Sequence, residues 1–466
     1  MNFKRKRTFS QIKSQKKLLL NDKMDISLTK ILGSEECQTI ISECREFRDR
    51  IYTPLQTIFM FIKQVMHPDK SCKNIVAGTV VERMVAGETP ISNNTGPYSK
   101  ARGRLPEETV ATLVKHVGAS TVQRAPATLK WKGHEVKAVD GSTLLMPDTK
   151  KNQLAFPQHK NQKKGAGFPL ARLVVVLSLS VGVVVNYALG PFKGKGSGEA
   201  SLFRSIIDCV NKDDIVLGDR YYPSFFFFID LLERGAYGLC RAQGQRHYDF
   251  RKGEFLGRKD HIMEWRKPVK PDWMSEEVYQ ACPDKIKVRE LKVNGDVYVT
   301  TLLKHKKYHK NELAMLYKMR WQIELTLRNI KSVMKMDMLS CKTPEMVRKE
   351  IGMHFLAYNL IRVIIAEACA QTSLHPTHQI SFKGTLQLLI QFMPHFLHSA
   401  VNKDNVLYKN FLKQVVKNKI GNRSGRMEPR VVKRRRKPFP LLHKQRSVEI
   451  ARLLRKREKI ILKQAA

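Results

Sequence analysis

The stretch ARLVVVLSLSVGVVVNYALG, residues 171–190, decides the fold class of this chain. It is rich in β-branched residues, and Gly182 divides it into two short apolar runs. Such runs favour two buried strands joined by a tight turn. The most apolar part, Leu173 to Val185, is too short to cross a bilayer as a helix. The stretch therefore predicts a buried β-hairpin.

Strand and helix patterns flank this hairpin on both sides. HEVKAVDGSTLLMP predicts a strand that ends in a turn at Asp140 and Gly141, and DIVLGDRYY predicts a buried strand that ends at Asp219. Two further stretches predict helices: GSGEASLFRSIIDCV and PSFFFFIDLLERG. The order strand, hairpin, helix, strand, helix is typical of a mixed α/β sheet.

Changes in composition divide the chain into regions. Residues 1–125 predict a helical N-terminal domain, in which Lys100, Arg102 and Arg104 form a basic connector suited to DNA ends. The alternative for this region is a plain helical cap on the core. The remaining regions are predicted as follows: 126–235 as the first part of an α/β core, 236–304 as a β-rich insertion, 305–375 as the second part of the core, and 376–466 as a helical and basic C-terminal region.

The charge of the chain indicates a polyanionic partner. Lys and Arg number 84 against 42 Asp and Glu, a formal net charge of +42. Such a surplus suits DNA, because phosphate contacts release counterions; an anionic membrane is the rival, but no basic amphipathic anchor dominates the chain. The tail from Gly421, with five consecutive cations at 433–437, either contacts the DNA backbone or is a solubilising appendage. The eight scattered cysteines include no CxxC pair, which favours a reduced, cytoplasmic compartment.

A polar stripe marks the run YKMRWQIELTLRNIK, residues 317–331. In a regular helix, at roughly 100° per residue, Tyr317, Arg320, Glu324 and Lys331 fall within an arc of about 60°. A helix carboxylate flanked by cations and a phenol is what a metal-dependent phosphoryl-transfer site needs as its last ligand. Two strand-end aspartates in the same basic chain complete the set, and together they suggest an Asp-Asp-Glu nuclease or transposase.

Three carboxylates suffice to hold the divalent ions of such a site. Phosphodiester chemistry uses two metals about 3.5–4 Å apart, and Mg²⁺ prefers carboxylate oxygens. We assign Asp140 as the ligand shared by both ions, Asp219 to one ion and Glu324 to the other. Each residue alone has an ordinary alternative: a turn former, a salt-bridged strand end, or a solvated helix face.

These residues also resemble a known family. The spacing Tyr317, Arg320, Glu324, Lys331 is that of the DDE transposases of bacterial insertion sequences, in the insertion-sequence-four family. The contexts AVDGS and GDRYY resemble the family's two aspartate motifs, and similarity extends over most of residues 50–445.

The resemblance implies an RNase H-like fold with a β-strand insertion before the catalytic helix. It also implies Mg²⁺ or Mn²⁺ as cofactor, cut-and-paste movement of the parent element, and a homodimer bound to two inverted-repeat ends and to target DNA. Tyr317, Arg320 and Lys331 would contact DNA phosphates. In some relatives an aromatic residue of the insertion stacks on a flipped base; Tyr298 is the candidate here, with Trp265 and Trp273 as competitors.

The expected setting is the cytoplasm of a bacterium, at the nucleoid, with no membrane and no small-molecule substrate. Two alternatives to a transposase stay open from the sequence. One is an RNase H-like nuclease or resolvase without strand transfer. The other is a domesticated, non-catalytic DNA-binding protein.

Overall fold

A computed structural model describes residues 31–44, 47, 51–163, 165–244, 246–372, 379–396, 401–421 and 444–464. The five cations at 433–437 lie outside the described residues. One mixed sheet forms the centre of the molecule. Its strands are β1 (Val136–Leu145), β2 (Leu170–Ser178), β3 (Val184–Pro191), β4 (Ile215–Gly218), β5 (Tyr237–Arg241), β6 (Glu254–Gly257), β7 (Asp260–Arg266), β8 (Lys285–Val293) and β9 (Asp296–Thr300).

The nine strands form a single sheet in the order β3-β2-β1-β4-β5-β9-β8-β7-β6. Strands β1, β4 and β5 run parallel, and all other neighbours are antiparallel. The prediction of a mixed α/β architecture is confirmed. Strands β6 to β9, from the predicted β-rich insertion, continue the same sheet, because β9 pairs with β5.

The hairpin predicted at residues 171–190 is present as β2 and β3. Gly182 lies in its turn with φ +74°, and its N–H donates to the Ser178 carbonyl at 3.0 Å. A Cβ atom at this position would lie 2.3 Å from a guanidinium nitrogen of Arg362. Glycine is therefore required both by the backbone conformation and by the close approach of Arg362.

The prediction that the first strand ends in a turn at Asp140 is wrong. Strand β1 continues to Leu145, and both Asp140 and Gly141 stay in register with β2, opposite Val175 and Val174. The Asp-Gly pair suggested a turn because these residues favour turns. Continuous pairing with β2 keeps the backbone extended instead.

Helices cover both faces of the sheet. They are α1 (Glu35–Ser42), α2 (Pro54–Met66), α3 (Cys72–Val85), α4 (Gly96–Arg104), α5 (Glu107–Gln123), α6 (Lys150–Ala155), α7 (Glu199–Ser205), α8 (Phe225–Leu232), α9 (Glu276–Ala281), α10 (Lys310–Lys318), α11 (Trp321–Arg328), α12 (Pro344–Thr372), α13 (Phe382–Phe396), α14 (Val401–Lys417) and α15 (Arg446–Gln464).

The two faces of the sheet have separate cores. Ala138 of β1 packs in the core that contains α12 and much of the N-terminal helices, whereas Val139 packs in the core formed with α7 and α8. Successive side chains of a strand point to opposite faces. Helix α12 is long and apolar enough to cross a membrane, but 78% of its most apolar part is buried inside the protein, as expected for a core helix.

The predicted basic connector is mostly turned inward. Arg102 is buried, with its guanidinium 5.0 Å from the ring centre of Phe61 and 5.1 Å from that of Tyr98. Arg104 lies 5.1 Å from the ring centre of Phe47. Lys100 is the exposed member of the three.

The run 317–331 is not one regular helix, contrary to the prediction. Tyr317 lies in the last turn of α10, which ends at Lys318. A tight turn follows, and α11 then leads into a π-helical turn at Asn329–Val333. Bonds from the N–H groups of Met319 and Arg320 to carbonyls three residues earlier tighten the first junction. Each junction changes the helical phase, so tertiary contacts, rather than a single stripe, bring the polar residues together.

Candidate active site

The two aspartates meet where a central strand ends. Strands β1 and β4 pair in parallel, with Ala138 opposite Leu217. Asp219 directly follows β4, and its charge acts on the carboxyl group of Asp140. Because β4 ends at Gly218 and β1 continues to Leu145, one edge of β1 is open from this point. Crevices at the carboxyl ends of parallel strands are the usual ligand sites of such sheets.

Each aspartate is oriented by a backbone N–H of its own segment. Oδ1 of Asp140 accepts from the N–H of Gly141 at 2.9 Å, and Oδ1 of Asp219 accepts from the N–H of Tyr221 at 2.8 Å. Burial raises the pKa of Asp140; Arg320 opposes this shift, and the charges of Asp219 and Glu324 reinforce it. A carboxylate held near two others in this way favours a bound cation.

Arg320 joins the third carboxylate to the first. Its Nη2 donates to Oε1 of Glu324 at 2.6 Å, and its Nη1 donates to Oδ2 of Asp140 at 3.3 Å. Helix α11 thus presents Glu324 to the same edge of β1. The guanidinium lies between two carboxylates that would otherwise repel each other, so it supplies the positive charge of this cluster.

Lys331 contacts the same strand farther along. Its Nζ lies 3.1 Å from Oγ of Ser142 and donates to the carbonyl of Thr143 at 2.9 Å. Burial lowers the pKa of Lys331. The π-helical turn allows this reach, because it shifts the residues after α11 relative to an ordinary helix.

Tyr317 lies beside Arg320 with its ring partly buried. Burial raises the pKa of Tyr317 to about 12, although Arg320 acts in the opposite direction. The phenol is therefore protonated at neutral pH and can donate a hydrogen bond. The structure brings Tyr317, Arg320, Glu324, Asp140 and Asp219 together, with Lys331 bonded to the following residues of β1.

Comparison with known proteins agrees with this geometry. The family model of the transposase DDE domain matches residues 131–360, a range that contains both aspartates and the glutamate. Transposase InsG for insertion sequence element IS4 of Escherichia coli (strain K12) is 26% identical over 357 residues, or 73% of this chain and 77% of that protein. The chain belongs to the DDE transposases of the IS4 type. The transposase for insertion sequence element IS421 of Escherichia coli is 35% identical over 80 residues, which are 17% of this chain and 22% of that protein.

The aromatic residue predicted to stack on a base in this transposase is buried. Tyr298 is 4% exposed, lies on β9, and packs edge-on against Tyr317 with ring centres 5.1 Å apart. A base would need an exposed ring face. Trp265 is also buried and donates to Glu290, whereas Trp273 is exposed with the Arg204 guanidinium 3.6 Å from its ring centre. Tyr298 has the contacts of a packing residue.

Glu199 and Tyr222 also lie beside this site. Glu199 begins α7, where an acidic residue is an ordinary N-terminal charge, yet a Cβ atom at Gly141 would lie 2.2 Å from the Cδ atom of Glu199. Burial raises the pKa of Glu199; Arg172 opposes the shift, and Asp219 and Asp140 add to it. In the sequence, the glycine that directly follows Asp140 was the one feature that could have indicated the close approach of another side chain at this position.

The donor set fits a hard divalent cation, although it is not a closed metal cage. Within the described residues, no three His, Cys, Asp or Glu side chains lie close enough to hold a metal ion as they stand. Converging carboxylates repel without a cation, and Arg320 holds two of them at its guanidinium. The donors are carboxylate oxygens, which Mg²⁺ and Mn²⁺ accept. The hydroxyl of Tyr222 is buried beside them without a hydrogen-bond partner within the described part of the chain.

Proposed function

We propose that this transposase cuts DNA at the inverted-repeat ends of its element and joins those ends to target DNA, by cut-and-paste transposition. The catalytic core would be an RNase H-like fold with residues 236–304 as its insertion. The observation that carries the proposal is the contact of one arginine, Arg320, with the carboxylates of Asp140 and Glu324, at the strand end that bears Asp219.

Asp140, Asp219 and Glu324 would hold Mg²⁺ or Mn²⁺, with Asp140 shared between two ions. When bound, such ions activate the attacking oxygen and stabilise the leaving oxygen in an in-line displacement at phosphorus. The backbone N–H groups of Gly141 and Tyr221 fix one oxygen of each aspartate and leave the other for a cation or a partner. This arrangement orients the carboxylates before substrate arrives.

Arg320, Tyr317 and Lys331 would position the scissile phosphate. With Asp140 and Glu324 holding a cation, the Arg320 guanidinium would be free to hold a phosphate through two hydrogen bonds. The Tyr317 phenol stays protonated, and its O–H group donates a hydrogen bond to a phosphate oxygen. Lys331 fixes residues 142 and 143 of β1 and adds a positive charge at the end of the site.

The net charge of +42, counted over the whole chain, supports DNA as the partner. End binding should therefore weaken steeply as salt rises, with a slope of log K against log[salt] of about −0.9 per phosphate contact. The resemblance to the insertion-sequence-four family leads us to propose a homodimer that holds two DNA ends. The helices before β1 would contact these ends. The protein would act in the bacterial cytoplasm, at the nucleoid. The mass of the purified end complex tests the dimer.

A plasmid assay separates this function from its alternatives. A supercoiled plasmid that carries the element's ends is incubated with the protein and Mg²⁺. Excision of the linear element, followed by its insertion into a second plasmid, is the expected result. Nicks without preference for the ends would indicate a nuclease, and retarded but uncut plasmid would indicate a DNA-binding protein without catalysis.

A further inference from the structure

A second acidic group approaches β1 from the face opposite Asp140. Side chains alternate along the strand, so Asp140 faces α11, while Val139 and Gly141 face the core formed with α7 and α8. On that side the carboxylate of Glu199 lies directly over Gly141, with both of its oxygens 2.5 Å from the position of a Cβ atom. Any side chain at residue 141 would displace the Glu199 carboxylate.

No interaction with a described residue explains why the Glu199 carboxylate lies over Gly141. Within the described part of the chain, no hydrogen bond or ion pair holds it. The cation that most affects its pKa is Arg172. Arg172 is itself engaged, because its Nη1 donates to the Ser197 carbonyl at 3.3 Å and its guanidinium lies 4.8 Å from the ring centre of Phe192. A half-buried carboxylate beside two aspartates is unfavourable unless a cation joins it.

The buried hydroxyl of Tyr222 is independent support for a ligand site next to Glu199. The Tyr222 side chain is 1% exposed, and its hydroxyl lacks a hydrogen-bond partner among the described residues. Burial raises the pKa of this phenol, and the charges that act on it most are those of Glu199, Asp140 and Asp219, in that order. A buried hydroxyl without a hydrogen-bond partner is unfavourable, so we expect a water or a ligand to lie between these groups.

The open edge of β1 makes both faces available to one occupant. Beyond Gly218, β1 has a strand neighbour only on the β2 side, so no strand separates the two faces of the sheet beside Asp219. Tyr222 packs over Gly218, where a Cβ atom would lie 2.9 Å from that of Tyr222. The three carboxylates of Asp140, Asp219 and Glu199 all lie near enough to the Tyr222 hydroxyl for their charges to act on it.

We propose that Glu199 is a fourth carboxylate that would hold the divalent cation, and that the Tyr222 hydroxyl would orient the Glu199 carboxylate through a bridging water. This inference rests on the proposed function and deepens it. Glu199 would add negative charge on the α7 side of β1, where neither Arg320 nor Lys331 makes its contacts. The alternative is that Glu199 only stabilises the N-terminus of α7, as acids in a first helical turn do.

Mn²⁺ binding to the full-length protein, followed by electron paramagnetic resonance of the free ion, tests the proposal. Glu199→Gln should weaken Mn²⁺ affinity by at least about 10-fold, because even groups that only support metal ligands contribute about 10- to 100-fold. The matched control is Glu276→Gln, because Glu276 also begins a short helix, α9, but lies in the insertion. Its Mn²⁺ affinity should equal that of the unchanged protein.

Two further variants separate metal binding from folding. Glu199→Asp keeps a negative charge at the start of α7 but withdraws it from Gly141, so it should lose Mn²⁺ affinity with little change in melting temperature. Tyr222→Phe removes the unsatisfied hydroxyl and should leave the melting temperature unchanged or higher, while weakening Mn²⁺ binding. Loss in the Glu199 variants alone would support the carboxylate and overturn the role of the hydroxyl.

The Asp140→Asn variant distinguishes failure of the proposed role of Glu199 from failure of the proposed function. Asp140→Asn should abolish both Mn²⁺ binding at the site and end cleavage. If Asp140→Asn behaves so while Glu199→Gln and Glu199→Asp bind Mn²⁺ like the unchanged protein, the role of Glu199 is refuted and the proposed function stands. If Asp140→Asn still cleaves ends, the proposed site itself is refuted.

Discussion

Strands β6 to β9, proposed above as an insertion, and the open edge of β1 both contain buried carboxylates, but the partners of these carboxylates differ. In the insertion, Asp260 receives two hydrogen bonds from Arg289, at 2.8 and 2.6 Å, and Glu290 contacts His261 and Trp265 at 2.9 and 2.8 Å. At the edge of β1, Arg320 is shared between two carboxylates, Glu199 has no direct partner, and the Tyr222 hydroxyl is unpaired within the described residues.

This difference separates a structural network from a candidate site. Buried charges that are paired on every side hold strands together, and substitution of one partner leaves an uncompensated charge. Buried charges whose partners are incomplete leave donors and acceptors for a ligand, and perturbed groups of this kind cluster at functional sites. The insertion network should therefore govern stability, and the open edge of β1 should govern chemistry.

The largest expected effect is on cleavage. Asp140→Asn, Asp219→Asn and Glu324→Gln should each lower single-turnover cleavage of a pre-bound end at least about 10³-fold, because a metal ligand supplies several kcal/mol of transition-state stabilisation. Their melting temperatures should stay close to that of the unchanged protein. Near-normal cleavage by any of the three would remove that residue from the site.

The insertion network should respond in the opposite way. Arg289→Leu leaves Asp260 buried and unpaired, so the free energy of unfolding should fall by about 3–5 kcal/mol. Adding Asp260→Leu to Arg289→Leu should recover part of that loss, since the unpaired charge is gone. Denaturant unfolding measures both. Equal losses in the single and double variants would contradict the view that the unpaired charge is the cause.

Arg320 should affect metal binding and cleavage in opposite directions. Because Arg320 competes with a cation for Asp140 and Glu324, Arg320→Ala should tighten Mn²⁺ binding by about tenfold, the equivalent of about 1.4 kcal/mol. Cleavage should nevertheless fall, since the phosphate contact is lost, and Arg320→Lys should stay impaired for want of two parallel hydrogen bonds. Weaker Mn²⁺ binding in Arg320→Ala would show that the guanidinium supports the metal site instead.

Lys331 should give the smallest effect. Lys331→Ala removes contacts to Ser142 and Thr143, each worth about 0.5–1.5 kcal/mol, and should lower single-turnover cleavage about tenfold. Lys331→Arg should be partly active, because a point charge suffices there. Lys335→Ala is a matched control, since Lys335 lies just after the π-helical turn at Asn329–Val333 but donates to the Pro68 carbonyl. A similar loss in both variants would assign the effect to the turn rather than to Lys331.

The parts of the fold that depend on local pattern were predictable. The apolar hairpin around Gly182 and the strand end before Asp219 follow from runs of β-branched residues and adjacent turn residues. The pairing of Asp140 with Val175 was not, because an Asp-Gly sequence favours a turn unless a neighbouring strand holds it extended. Local propensity yields to tertiary pairing in such cases.

The candidate site was predictable only in part. The residue spacing predicted that Tyr317, Arg320 and Glu324 lie close together on a helix. Their contact with Asp140, however, depends on a tight turn and on the packing of α11 against β1. Glu199 lies far from Asp140 in sequence, and its approach depends on the missing Cβ atom of Gly141. No periodicity in a single sequence carries that information.

The central claim is that these carboxylates hold the metal that cuts DNA, and metal rescue tests it most directly. Asp219→Cys replaces a carboxylate, which suits Mg²⁺, with a thiolate, a softer ligand. Single-turnover cleavage of a pre-bound end by this variant should be lost in Mg²⁺ and restored in Mn²⁺, while Asp219→Ala stays inactive in both. Cleavage by Asp219→Cys in Mg²⁺, or equal loss in both metals, would contradict the account.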